Sequence, residues 1–259
     1  MACFLFNEIV FGPVSSRRFG VSLGINLLPD SIKYCTFNCV YCECGLTDHE
    51  QDKKAKLYST NEVLAALEER FSELHHKNLL PDNITFAGNG EPTIHPGFAE
   101  IIDRTIQLRD TYFPQAKITV LSNATKLNKD NVREALKKID NNVLKLDAGS
   151  EQMFSAINRP LTKITLQQVV DDLKKFDGKV VIQTLFIKGD VNGTHIDNTT
   201  EEEIELWLNH LVEINPMLVM LYSISRETPE HGLLKVKKEE LDFIAQKVRE
   251  AGLQAEVYS

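Results

Sequence analysis

No stretch of this 259-residue chain strings together the roughly 18 apolar residues that a membrane span needs. The opening MACFLFNEIVFG is apolar, but it lacks the basic start and small-residue cleavage site of a secretory leader. A cytoplasmic location with no membrane partner is therefore expected. Basic charge is in short supply: 29 Lys and Arg face 37 Asp and Glu, for a net charge of −8. That balance excludes a generally basic nucleic-acid surface and leaves room only for a local basic patch. With 13 Gly, 9 Pro and no low-complexity tract, the chain is neither disordered nor collagen-like. Cysteine is scarce as well, five in all, too few for a disulfide-stapled scaffold. Yet Cys35, Cys39, Cys42 and Cys44 fall within ten residues. Clustered thiols in a reducing compartment point to metal or redox chemistry.

There is no internal repeat and no long Gly/Ser linker, so residues 1–259 read as one domain. Short β-rich runs alternate with helical stretches. VSLGINL (21–27), NITFAG (83–88), KITVLSN (117–123), NVLKLD (142–147), KVVIQTLFI (179–187) and MLVMLYSI (217–224) read as strands. Ser59 with Glu62, and Thr200 with Glu203, have the spacing of helix capping boxes. Residues 98–110 repeat apolar side chains at helical spacing, and helical sequence follows the fourth strand to about Phe176. A helix near 238–250 and a short LQAEVY strand finish the chain. Alternation at this spacing predicts right-handed βαβ units in an α/β fold. The expected architecture is a partial six-fold TIM-like barrel of parallel strands over 21–224. An N-terminal strand and loop (1–34) precede it, and a helix and strand (236–259) follow. Ligand-binding residues in such folds sit after the strands. The unusual polar segments do follow strands: the Cys cluster, Gly88-Asn89-Gly90-Glu91-Pro92, Ser122-Asn123-Ala124-Thr125, Asp147-Ala148-Gly149-Ser150, Lys188-Gly189-Asp190, and Ser223 to Glu227.

Cys35-Thr-Phe-Asn-Cys39-Val-Tyr-Cys42 sets three thiols apart by three intervening residues and then by two. A compact loop of this spacing can turn all three sulfurs onto one metal centre. Three thiolates on a cubane of four irons leave one iron open to bind and activate a small molecule. The competing reading is structural zinc, with Cys44 or His49 as fourth ligand, but structural zinc usually draws on two separated ligand pairs and no second pair exists. Cys44 is otherwise a small thiol beside the cluster, and Cys3 a core residue of the N-terminal strand.

The Cys-x₃-Cys-x₂-Cys loop after a first strand, with Tyr41 before the third Cys, resembles the radical S-adenosylmethionine (SAM) superfamily. Gly88-Asn89-Gly90-Glu91-Pro92 is similar to that family's GGE motif, with Asn89 where the family has Gly. The likeness covers essentially the whole chain. Gly12-Pro13-Val14-Ser15-Ser16-Arg17-Arg18, Leu146-Asp147-Ala148 and Ile157-Asn158-Arg159-Pro160 resemble the branch containing the wybutosine-forming tRNA enzymes and related Fe–S proteins.

The resemblance implies that Cys35, Cys39 and Cys42 hold a 4Fe–4S cluster whose open iron chelates SAM. SAM's parts call for different partners: Glu91 for the ammonium, and Gly88, Asn89 and Gly90 for close backbone approach. Ser122 and Asn123 suit ribose or carboxylate. Lys145 and Asp147 alternate with Leu144 and Leu146 and so share a face. If that face is interior, Lys145 could meet the SAM carboxylate and Asp147 the ribose; if exterior, they are a solvated ion pair. Tyr41 and Gln183 would contact adenine, as the resemblance implies. Arg17, Arg18, Arg159, Tyr222 and Arg226 lie in loops or at strand ends on the presumed catalytic side, where arginine forks suit carboxylate or phosphate. GNGEP could also be a plain turn, and loop arginines plain solvated charges. His75-His76, His95 and the Trp207, Leu206, Leu208, Leu211 group read as structural.

The expected function is therefore a radical SAM enzyme, served by a flavodoxin- or ferredoxin-like electron donor. It would cleave SAM to methionine and a 5′-deoxyadenosyl radical that takes hydrogen from a substrate. A small-molecule, peptide or protein substrate is at least as well supported as tRNA, because the wybutosine enzymes bind a second cluster through three more cysteines and only Cys3 and Cys44 are left here. An Fe–S electron carrier or redox sensor and a zinc-stabilised binding module are the alternatives.

Overall fold

The β-branched runs do become strands in a computed structural model, which describes residues 4–47 and 55–258. Cys3 and His49 lie outside the described residues. Val10–Ser16 (β1) and Gly20–Ile25 (β2) form an antiparallel hairpin. From β2 onward the sheet is parallel, running through Asn83–Phe86 (β3), Lys117–Ser122 (β4), Asn141–Lys145 (β5) and Val181–Val191 (β6). The outer half of β6 leaves the main sheet and pairs antiparallel with Thr194–Asp197 (β7) and Leu233–Lys235 (β9). Its inner half pairs in parallel with Leu218–Ser223 (β8), which in turn pairs with Ala255–Tyr258 (β10). The order β1-β2-β3-β4-β5-β6-β8-β10 leaves β1 and β10 as edges, so the sheet is an open, mostly parallel α/β sheet of the partial TIM-like barrel kind, in a single domain.

Helices connect the parallel strands: Thr60–His76 (α1), Phe98–Tyr112 (α2), Asp130–Lys137 (α3), Glu151–Asn158 (α4), Leu166–Lys174 (α5), Glu201–Ile214 (α6) and Lys238–Glu250 (α7). Each lays one apolar stripe on the sheet, as Val63, Leu67, Phe71 and Leu74 do in α1. All four residues of β3 are buried, because the sheet is covered there on both faces. No helix of the described residues is long and apolar enough to cross a membrane.

Several local expectations need correction. The helical stretch to Phe176 is two helices, because Arg159 adopts φ 44° at the C-cap of α4 and Pro160 follows. The Ser59–Glu62 capping box is complete. At Thr200 only half a box forms: Thr200 accepts from Glu203 N, while the Glu203 carboxylate accepts from Gly149 N (3.0 Å) and Ser150 N (3.2 Å). The tertiary partners offer two backbone donors where the cap offers one. Leu206 is exposed and Leu208 half-buried, so the core face of α6 is carried by Trp207 and Leu211 with Ile204 and Ile214. Helix α3 is only eight residues long and mostly polar, with Val132, Ala135 and Leu136 buried, and strands β7 and β9 are four and three residues long, so none of the three stands out in the sequence.

Candidate functional site

The cysteine loop follows β2 and is stitched to two other strand-end segments. Tyr34 pairs with Gly90 in a parallel bridge, and Tyr34 N donates to Asn89 O (2.7 Å). On the other side, Asn38 N and Val40 N donate to the carbonyls of Arg159 and Ile157, and Leu161 N donates to Thr36 O. The left-handed turn at Arg159 therefore presents backbone carbonyls to the loop that carries the thiols. Cys42 N donating to Cys39 O and Gly45 N to Cys42 O fold the loop back on itself.

Cys35, Cys39, Cys42 and Cys44 line one cavity of about 170 Å³ together with Gly88, Gly90, Glu91, Ser122, Asn123, Lys145, Gln183 and Tyr41. Most of the expected site residues are thus brought to one place. Of the residues expected to hold the cluster and SAM, two are not on its wall. Asn89 turns away and ties the chain together, donating to Phe6 O and Pro29 O and accepting from Phe6 N. Asp147 lies behind Tyr41 and Lys145. The glycines also do more than admit a ligand. At Gly90, with φ +146°, a Cβ would stand 1.9 Å from Tyr34 O, and at Gly88 it would stand 2.4 Å from Asn26 Oδ1. Their smallness lets the chain's own segments meet.

Glu91 is fully buried and accepts from Thr93 N (3.1 Å), the Thr93 hydroxyl, Ser122 Oγ (2.8 Å) and Asn123 N (2.6 Å). Burial raises its pKa, and these donors partly offset the rise. Oε1 takes three of the bonds and Oε2 one, so Oε2 retains capacity for a further donor in the cavity. Ser122 and Asn123 are committed within the protein rather than free for ribose: the Asn123 amide donates to Thr36 Oγ1 (2.9 Å) and Cys35 Sγ (3.6 Å).

Lys145 and Asp147 face inward and form a buried pair, Nζ to Oδ2 3.3 Å. Tyr41 donates its hydroxyl to Asp147 and accepts from Lys145 Nζ (2.5 Å), and the ammonium stands 4.9 Å from the Tyr41 ring centroid. Burial opposes the charge of Lys145, but Asp147, Tyr222 and Cys39 together outweigh it and raise the pKa. Burial, then Asp147, pushes the Tyr41 phenol well up. Asp147 is held from three more sides: Leu185 N donates to Oδ1 (3.0 Å), Asn158 Nδ2 to Oδ2 (2.8 Å), and Asn198 Nδ2 to its carbonyl (2.8 Å). Trp207 Nε1 donates to Leu146 O and Thr184 Oγ1, each at 3.2 Å, locking the end of β5 to β6. The polar set is thereby pre-organised.

The sequence reading missed two functional candidates. Asn158 Nδ2 also lies 3.5 Å from Cys39 Sγ; the Ile157–Pro160 motif contains it, but only the structure shows that its amide meets the thiol. Lys33 is buried on the cavity wall, with Nζ donating to Gly45 O (3.0 Å). Burial opposes its charge, while Cys42, Cys35 and Cys39 raise its pKa. A lysine two residues ahead of the first Cys was the available signal. Burial pushes the Cys35 thiol up to about 12 and raises Cys39. Cys42 goes the other way, to about 5, because the Cys44 thiol hydrogen-bonds it and Lys33 adds its charge; Cys44 rises correspondingly.

Among the described residues, no three His, Cys, Asp or Glu side chains converge to hold one ion. Structural zinc requires that convergence, whereas a polynuclear cluster requires only that each thiolate reach its own metal. Sulfurs receiving amide N–H donors beside a buried cation fit an anionic iron–sulfur cluster.

A second cavity, about 460 Å³, adjoins the first, with Tyr41 and Cys42 on both walls. It gathers Arg17, Arg18, Tyr222 and Arg226. Gln183 donates to Tyr222 Oη (2.5 Å) across the boundary. Arg159 is not part of it and pairs with Glu230.

The description "Radical SAM superfamily" matches residues 31–202. A UPF0026 protein of Synechocystis is 34% identical over 225 residues, 85% of this chain and 77% of that protein. One from Methanocaldococcus jannaschii is 31% identical over 212 residues, covering 80% of this chain and 61% of that protein. A Brachyspira hyodysenteriae protein named GTPase Obg is 31% identical over 252 residues, 96% of this chain. The chain spans 34% of that protein's length, so only part of it is comparable. Among solved structures, a radical SAM methyltransferase from Sphaerobacter thermophilus superposes with TM-score 0.63 at 14% identity, over 92% of this chain and 65% of that one. Archaeal TYW1 superposes with TM-score 0.52 at 16% identity, over 89% and 72%. At those identities the structures speak to fold. The family match over the cysteine loop and strands β3 to β7, about two thirds of the chain, places it: it belongs to the radical SAM superfamily.

Proposed function

We propose that the chain is a radical SAM enzyme in which Cys35, Cys39 and Cys42 hold a 4Fe–4S cluster and the adjoining strand ends hold SAM. The observation that carries this reading is the single cavity in which the cysteine thiols meet Gly88, Gly90, Glu91 and Lys145. When bound, the cluster supplies one electron that splits SAM into methionine and a 5′-deoxyadenosyl radical able to take hydrogen from a substrate. The chain's own residues bind and orient. The free capacity of Glu91 Oε2 receives the SAM ammonium, and the Lys145 ammonium faces its carboxylate. Asp147 acts through Tyr41 and Lys145, fixing both rather than touching the ribose. Tyr41 and Gln183 form the wall between SAM and the second cavity, where the substrate sits. Lys33, Asn123 and Asn158 stabilise negative charge on the sulfurs. The electron donor is a flavodoxin- or ferredoxin-like protein.

Anaerobic reconstitution with iron and sulfide should yield about four irons per chain. Cys39→Ala should lose them while keeping the far-ultraviolet circular dichroism of the parent. Unchanged iron in Cys39→Ala would overturn the ligand assignment.

A further inference from the structure

The charged residues of the second cavity are Arg17, Arg18, Arg226 and Glu43. Arg226 Nη1 lies 2.6 Å from Glu43 Oε2, so those two charges cancel. Arg17 and Arg18 have no carboxylate partner among the described residues; Arg17 makes one neutral contact, Nη2 to Ser225 Oγ at 3.2 Å. Arg18 is held from its faces. Its guanidinium carbon stands 5.2 Å from the Phe19 ring centroid and 5.6 Å from that of Tyr222. Stacking of this kind fixes the plane and leaves the N–H fork unspent. Arg18 Nη1 is buried and has no hydrogen-bond partner. A buried donor of a charged group left unpaired is costly, and a protein with 37 acidic residues had carboxylates to spare for it.

We propose that this cavity binds a small organic anion, a molecule carrying a carboxylate or phosphate that seats on Arg18 with Arg17 assisting. This rests on the reading of the neighbouring cavity as the SAM site, and names the class of substrate that reading leaves open. The volume, about 460 Å³, suits one small molecule. Tyr41 and Cys42 form walls of both cavities, so an anion held at Arg18 leaves the rest of the molecule beside the SAM site. The basic end of the cavity is supplied by the β1–β2 hairpin, and therefore lies outside the strand ends that hold SAM.

The test uses the full chain, reconstituted anaerobically, with calorimetric titration of inorganic phosphate and of succinate, so that the two sources of negative charge are distinguished. At least one should bind, with affinity reduced about tenfold to a hundredfold in Arg18→Gln. Arg18→Lys should recover only part of the loss, because lysine lacks the fork. Arg104→Gln, on the outside of α2, should bind like the parent. SAM titration should be the same in the parent and in Arg18→Gln. Neither anion binding, or equal binding in Arg18→Gln, overturns the proposal; so does loss of SAM affinity in that variant, which would make Arg18 a SAM ligand. Absence of iron and SAM binding in the parent would instead overturn the reading of the cysteine cavity, and the anion titrations read independently of it.

Discussion

Glu91 has two tasks, because its carboxylate is both a ligand candidate and the acceptor of four internal hydrogen bonds. Glu91→Ala would orphan all four donors, so it should destabilise the fold by roughly 3–5 kcal/mol and report poorly on binding. Glu91→Gln keeps the shape and most acceptor capacity. It should fold, hold iron, and bind SAM about tenfold to a hundredfold more weakly in anaerobic titration; parental affinity would remove Glu91 from the SAM site. Lys33 makes a second prediction at this scale. Removing a buried positive charge beside the thiolates makes the cluster harder to reduce, so Lys33→Met should lower its midpoint potential by roughly 50–100 mV in an electron paramagnetic resonance titration. An unchanged potential would mean that its charge is compensated elsewhere. The cysteine spacing and the Glu of GNGEP were legible because their chemistry is written in adjacent residues. Asn158 was not, since it meets Cys39 only after α4 folds back over the loop.

Among the elements, the longer strands and helices were legible, as in α7, seen at Lys238–Glu250 where 238–250 was expected, whereas the short and mostly polar α3 was not. The cap at Thr200 shows where local pattern fails: Glu203 reaches Gly149 and Ser150 across the fold instead of its own helix start. That contact brings α6 against the entry to α4 so tightly that a Cβ on Gly149 would lie 2.4 Å from Glu203 O and 2.6 Å from Trp207 N. Both are backbone atoms of a helix, which cannot yield as a side chain would. Gly149→Ala should therefore cost about 1–3 kcal/mol, lowering Tm by roughly 3–10 °C in a thermal melt of the metal-free chain. A parental Tm would show that α6 shifts freely.

For the whole molecule, the open sheet is what creates the second cavity. Its two ends, the β1–β2 hairpin bearing Arg17 and Arg18 and the edge strand β10 bearing Tyr258, line the same space as the end of β8 and the cysteine loop. A fully closed barrel would have paired those edges. The partial barrel was legible from the alternation of elements, but this convergence was not, because it joins residues 17 and 258 through curvature that no local pattern encodes. The central claim is that thiols, Glu91 and Lys145 together make a site for SAM cleavage. Its most direct test is mass-spectrometric detection of 5′-deoxyadenosine after the anaerobically reconstituted protein is reduced with dithionite and given SAM, with phosphate or succinate present to occupy the second cavity. The account predicts 5′-deoxyadenosine from the parent and none from Cys39→Ala. A parent that binds SAM and carries a reduced cluster yet forms no 5′-deoxyadenosine, or a Cys39→Ala variant that forms as much as the parent, would contradict it.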